Sequence, residues 1–359
     1  MLQYTALYEQ HETLKAKIVD FAGWAMPIQY PTGILAEARG VRSGTGVFDV
    51  SHMGRLRFTG AGAEVLLDMI FTRNVRSFRD GRARYGFLCT ENGGIIDDVV
   101  VSRISKSEFN LVCNSGNRSR VDDWIKHWAD GIENVEMVDL TYDTGMIAVQ
   151  GPTATETILH AFDIDVTHLG KFRVQDYFFA DNLVMVSRTG YTGENGYELV
   201  CHAGDTSKIW DALILAGAMP SGLGSRDNLR LEAAFPLHGS DIDESTNPIE
   251  AGLERFVDFD KESFIGKEAL NSIQEIGVHR KFVGIELTSR GIPRSGCVLY
   301  HSDEQVGIVT SGGYGANIGK SIGLAYVAVG FADLGQELLV DIRGQWVNAR
   351  VVALPFYGN

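Results

Sequence analysis

From residue 279 onward this sequence offers strands and turns and little else, and that change of pattern does most to limit what the chain can become. Segments 281–287, 304–310, 321–327, 337–342 and 346–354 are strand-like and are separated by glycine-bearing turns. They predict a separate C-terminal β domain of barrel or jelly-roll type. Upstream the periods are mixed. Ile34, Leu35, Ala38 and Val41 share one helical face behind a Pro-Thr-Gly entry, and Val121, Trp124, Ile125 and Trp128 repeat at helical spacing with Asn117 or Ser119 as caps. Between these helices, 84–90 and 95–103 flank Glu91-Asn92-Gly93-Gly94, a hairpin signature with residues that tolerate positive φ. Further strands are expected at 108–113, 135–140, 146–150 and 183–188, with helices starting near Pro152 and Asp205. The mixture reads as α+β. A chain of 359 residues with 45% hydrophobic content is too long for one ordinary core, so two or three domains are expected. The polar stretch 271–280 is the best linker candidate.

Charge and cysteine usage exclude several functions. A formal net charge of -14 and a pI near 5.1 repel polyanions, which argues against general binding of nucleic acid or anionic lipid. Any anionic ligand must meet a local cationic pocket. Cys89, Cys113, Cys201 and Cys297 are far apart and form no paired ligand spacing, as expected of buried thiols in a reducing compartment. Met1 to Lys17 is polar rather than a basic and then apolar leader, so neither export nor a membrane span is expected and the cytoplasm is the natural address. Two phosphate motifs fail on inspection. Gly222-Leu223-Gly224-Ser225-Arg226-Asp227 puts a carboxylate where a dinucleotide fingerprint needs its third glycine, and Gly319-Lys320-Ser321 has Tyr314 where a P-loop needs its first. The nine histidines include no pair at metal-helix spacing, and no serine lies in a nucleophile elbow. Neither a metal nor a nucleotide is expected.

What remains is a series of polar, glycine-rich blocks. Phe21-Ala22-Gly23-Trp24-Ala25-Met26-Pro27, Gly46 to Gly54, Gly93-Gly94-Ile95-Ile96-Asp97-Asp98, Ser187 to Glu194, Gly222 to Glu232, Asn247 to Leu253 and Phe264 to Leu270 resemble, in order and over nearly the whole chain, the T-protein family of the glycine cleavage system. The resemblance implies an α+β, three-domain cloverleaf with a central folate channel and a C-terminal β-barrel or jelly roll. Mapped on this sequence, the first, folate-binding domain takes 1–50 and 140–255, and a second α+β domain with the aspartate hairpin takes 51–139. A connecting segment covers 256–278 and the β domain 279–359. The implied activity is aminomethyl transfer from a lipoylated carrier (H) protein to tetrahydrofolate, a co-substrate. Two other readings share the pattern. One is a same-fold folate-dependent demethylase of a small methylated substrate, and the other is a non-catalytic folate-binding accessory protein, whose Lys-Gly-Cys-Tyr signature is absent.

The residues suit that role. A reduced pterin presents adjacent N–H donors, which one carboxylate can accept, and an aromatic system that needs a flanking partner. Tyr191 and Glu198, seven residues apart across a Gly-rich turn, can supply both, and the resemblance assigns them to folate together with Tyr85 and Arg226. Arg230, four residues beyond Arg226, fits better as a brace paired to Asp227 or Glu232. Asp97 and Asp98 must point to opposite faces of a strand, so only one can enter a pocket. The resemblance selects Asp98 as the catalytic carboxylate, on one face with Val100 and Ser102. The carrier proteins of this family's system are acidic, so docking is expected at a basic surface. Arg39/Arg42, Arg55/Arg57, Arg73/Arg76, Arg82/Arg84 and Arg118/Arg120 are the sequence candidates.

Overall fold

A computed structural model describes residues 1–179 and 182–358. The chain forms two compact units. One comprises Met1–Gly86 and Asp97–Arg226, and the other Phe87–Ile96 and the chain from Asp227 onward.

The first unit rests on alternation of side chains about its strands. Its six-stranded sheet runs in the order Val174–Phe179, Asn182–Ser187, Gly196–His202, Thr144–Gln150, Gly46–Asp49, Met219–Pro220. Neighbours are antiparallel except the last pair, which is parallel. In Gly196–His202, Tyr197, Leu199 and Cys201 are buried, in one cluster with Trp210, Ile209 and Leu213 of helix Thr206–Leu215 and Ile158 of helix Ala154–Phe162. Burying a side chain such as Tyr197 or Trp210 contributes about 2–3 kcal/mol. Glu198 and Val200 take the other, half-buried face, the period of two that lets a carboxylate sit in mid-sheet.

A five-stranded sheet follows the order Arg82–Cys89, Ile95–Ser105, Glu108–Cys113, Gly54–Thr59, Glu136–Asp139. Helices Ala63–Ile70 and Arg118–Ala129 bury Leu66, Leu67, Val121 and Ile125. Asn117 precedes the second helix as expected but makes no side-chain cap; its side chain bonds Asp97 instead. A bulge between Arg103 and Ser105 shifts the pairing by one, so that Val100 faces Val112 and Ser102 faces Asn110.

The second unit contains a closed barrel in the order Arg280–Leu287, Lys320–Ala328, Glu304–Gly315, Val298–His301, Glu337–Ile342, Gln345–Val352. Ile285, Leu299, Val309, Ala325, Val327 and Val340 fill it. Closure leaves no unpaired edge. Val298–His301, four residues long, is the barrel strand that the sequence reading missed, as it missed Lys17–Phe21, Trp24–Gln29, Gly46–Asp49, Gly54–Thr59 and Val174–Phe179 in the first unit. The expected linker at 271–280 is largely helical: helix Lys267–Ile276 occupies most of it, burying Leu270 and stopping at Gly277 with φ 91°. Its polar character is that of an amphipathic helix with Ser272, Gln274 and Glu275 exposed. Among the described residues, no helix is long and apolar enough to cross a membrane.

Candidate active site

Strand alternation separates the two aspartates. Asp97 is fully buried while Asp98 is half-buried with Val100 on the opposite face. The Tyr85 hydroxyl donates to Asp98 Oδ2 at 3.0 Å. Asn114 Nδ2 donates to Asp98 Oδ1 at 2.7 Å and to Asp97 Oδ1 at 2.7 Å, and the Asn114 backbone N–H donates to Asp97 Oδ2 at 3.0 Å. One asparagine thus holds both carboxylates. Burial, followed by the charge of Asp98 and its hydrogen bond, pushes the Tyr85 phenol well above its usual range, so it stays a neutral donor. Burial and then the Asp98 charge push the Asp97 carboxyl up, against the bonds from Asn114 and Asn117.

Arg226, on helix Leu223–Glu232, sets its guanidinium 5.1 Å from the centre of the Tyr191 ring, a cation–π distance. Its Nη1 is buried and has no hydrogen-bond partner among the described residues. Burial lowers its pKa, against the charges of Glu198 and Tyr191, which favour the cation. Glu198 Oε2 accepts from the Thr189 hydroxyl, which is 2.9 Å from Ser187 Oγ. Tyr191 also acts electrostatically on Tyr85. Asp98, Tyr85, Tyr191, Arg226 and Glu198 are therefore linked pair by pair, and each is half-buried. Arg230 is a brace, as expected: it bonds Asp227 Oδ1 at 2.8 Å, Asp241 Oδ2 at 2.7 Å and Ser311 Oγ at 2.9 Å.

The loop bearing Tyr191 is stapled from below. Gln150 Nε2 donates to the Thr189 carbonyl at 3.2 Å and Gln150 Oε1 accepts from the Thr192 hydroxyl at 3.0 Å. Arg42 Nη1 donates to the Thr192 carbonyl at 2.6 Å and to Glu194 Oε1 at 3.0 Å. A Cβ at Gly190 would lie 2.0 Å from Gln150 Oε1, and one at Gly196 2.5 Å from Nε2. These two glycines make room for the staple.

Three contributors escaped the sequence reading: Asn114, Thr189 and His52. His52 is 4% exposed, packs edge-on to Phe21 at 5.4 Å, and leaves Nδ1 buried without a hydrogen-bond partner among the described residues. Burial pushes its imidazole down to about 4; Arg226 and Arg55 act in the same direction and Asp49 against it. An unfolded histidine takes a proton near 6.5, roughly, and this one only below about 4, so the unfolded state binds more protons between those values. Stability is accordingly lost as pH falls from about 6.5 to about 4. Urea unfolding at pH ~7 and ~4.5 should show a loss of about 2 kcal/mol that disappears in His52→Gln. An identical pH slope in the variant would remove His52 as its source.

The order of these elements has counterparts among known proteins. Residues 7–261 match the family model described as the GCVT N-terminal domain, and residues 280–358 the one described as the glycine cleavage T-protein C-terminal barrel domain; the chain belongs to the glycine cleavage T-protein family. Its relatives include aminomethyltransferases. That of Geobacillus kaustophilus is 40% identical over 363 residues, covering 99% of both chains. That of Thermotoga neapolitana is 43% identical over 360 residues, covering 99% of this chain and 98% of the relative. The crystal structure of glycine cleavage system aminomethyltransferase T from Bartonella henselae superposes with a TM-score of 0.93 at 32% identity, covering 99% of this chain and 98% of that one.

Proposed function

We propose that this aminomethyltransferase moves the methylene carbon of an aminomethyl group, carried as a thioether on the dihydrolipoyl arm of a carrier protein, onto tetrahydrofolate. The observation that carries the reading is the half-buried Asp98, aimed by a tyrosine hydroxyl and an asparagine amide. The two folate nitrogens form bonds to the methylene carbon as its bonds to nitrogen and sulfur break. The two N–H protons leave with ammonia and with the released thiol, giving methylenetetrahydrofolate. Asp98 accepts a hydrogen bond or a proton from the attacking folate nitrogen and stabilises cationic character at the carbon. Tyr85 and Asn114 fix its orientation, and holding two large reactants in register supplies much of the rate.

Glu198 receives the adjacent N–H donors of the pterin, Tyr191 flanks its ring, and Arg226 offers its buried, unpartnered Nη1 to a pterin oxygen. Glu198→Gln turns a charge-assisted pair into an amide facing two donors, so folate binding should weaken by about 1.5–3 kcal/mol; unchanged affinity by calorimetry would take Glu198 out of the site. The function itself is tested by mixing enzyme, tetrahydrofolate and aminomethyl-loaded carrier and measuring methylenetetrahydrofolate and ammonia. Folate binding without either product overturns it.

A further inference from the structure

Two arginines of strand Gly54–Thr59 share one face of the five-stranded sheet and have different fates. Arg55 is consumed by the fold, donating to the carbonyls of Ser51, Met53, Thr141 and Thr144. Arg57, two residues on, makes no side-chain hydrogen bond or ion pair among the described residues, and its Nε is buried. Directly opposite it in register stands Asn110. Asn110 Nδ2 donates to the Met185 thioether at 3.2 Å, which leaves Oδ1 buried and unbonded among the described residues. A guanidinium donor and an amide acceptor are thus rooted about 5 Å apart and do not bond each other. A pair that served folding alone would close on itself, because a buried polar group left unmet opposes the folded state.

Strand register places these atoms relative to the aspartate. Asp98, Val100 and Ser102 alternate onto the same face of strand Ile95–Ser105, where Val100 pairs with Val112 and Ser102 with Asn110. Three rows therefore follow one another along the sheet: Asp98 with Asn114, Val100 with Val112, and Ser102 with Asn110 and Arg57. The face reads polar, apolar, polar over about 13 Å from the first row to the last. All of these residues belong to the first unit.

We propose that Asn110 and Arg57 bind the acylamino-acid end of the folate co-substrate, Asn110 Oδ1 accepting its amide N–H and Arg57 pairing with the α-carboxylate beside it. The inference rests on the proposed function, which puts the reacting folate nitrogens at Asp98. From those nitrogens the molecule continues as a benzoyl ring, an amide and a glutamate, which is the order of the three rows. The ring lies along Val100 and Val112. The donor and acceptor also select among anions. A lone carboxylate or a phosphate would set its oxygens against Asn110 Oδ1, whereas an N-acylated amino acid carries an N–H donor next to its carboxylate. Arg57 gains there a charge-assisted, bidentate partner away from bulk water.

Equilibrium binding to the full-length protein without carrier tests this with two probes. One is tetrahydrofolate, and the other is tetrahydropteroyl methylamide, which keeps the ring systems and the amide N–H but has no carboxylate. The wild type should bind tetrahydrofolate at least about tenfold more tightly. Arg57→Met should lose that preference by weakening tetrahydrofolate alone, so that the probes bind within about twofold of each other and the methylamide binds as it does to wild type. Asn110→Leu should weaken both probes by about fivefold or more and keep the preference. Equal affinity of the wild type for the two probes overturns the subsite, whatever the variants do, and leaves the functional reading standing. A uniform loss of both probes in Arg57→Met assigns Arg57 to the scaffold and overturns its role. No binding of tetrahydrofolate by the wild type overturns the functional reading and the subsite together.

Discussion

Asp98→Asn should lower turnover on the order of a hundredfold or more while tetrahydrofolate affinity stays within about threefold. The substitution keeps the size of the side chain and its bond to the Tyr85 hydroxyl, but it removes the negative charge and the capacity to take a proton. Asp97→Asn should behave differently. Both Asp97 oxygens accept hydrogen bonds from Asn114, so an amide nitrogen in place of one oxygen sets donor against donor. A stability loss of about 1–2 kcal/mol is expected, with turnover within about fivefold. Single-turnover rates and urea unfolding on both variants separate the roles. A rate collapse in Asp97→Asn with Asp98→Asn near wild type would assign the chemistry to the wrong carboxylate.

Arg226→Met should reduce tetrahydrofolate affinity at least about a hundredfold, a loss of about 2.7 kcal/mol, without destabilising the ligand-free protein. The guanidinium is set over Tyr191 with one nitrogen buried and unbonded, so the ligand-free fold bears a desolvation cost that a thioether side chain of similar length does not. Thermal or chemical unfolding of the variant should therefore match wild type or exceed it by up to about 1 kcal/mol. Losing stability and affinity together would mean that Arg226 is a structural brace of the Arg230 kind.

The α+β character and the terminal barrel were legible because they depend on period and turn chemistry, which are local. The strands at 108–113 and 337–342 coincide with the runs expected for them. Val298–His301 was missed because four residues do not establish a period, and the helix within 271–280 was not foreseen because its buried anchor, Leu270, lies just outside that polar window. Asn114 shows a different limit. Its strand follows that of Asp98 through a tight turn, and unbroken pairing from Ser105 and Glu108 would set Ser115 across from Asp98. The bulge shifts the register by one, and Asn114 arrives there instead. No side-chain pattern announces a bulge of that kind. Tyr191 and Glu198 stand seven residues apart across one turn and were paired by that spacing, whereas Arg226 comes from a separate segment and only the resemblance to a known family placed it with them.

The staple beneath the Tyr191 loop bears on how ligand entry is driven. Gln150 is completely buried, and it and Arg42 fix the loop with four hydrogen bonds, two from each side chain. This wall of the proposed folate site is therefore assembled before any ligand arrives, and its ordering entropy is charged to folding and not to association. Amide exchange at 189–196 should already be slow in the free protein and should change little when folate binds. The affinity of this wall for its ligand is then set by contacts alone, so a substitution at Gln150 should weaken binding through entropy while leaving the enthalpy of the remaining contacts nearly intact.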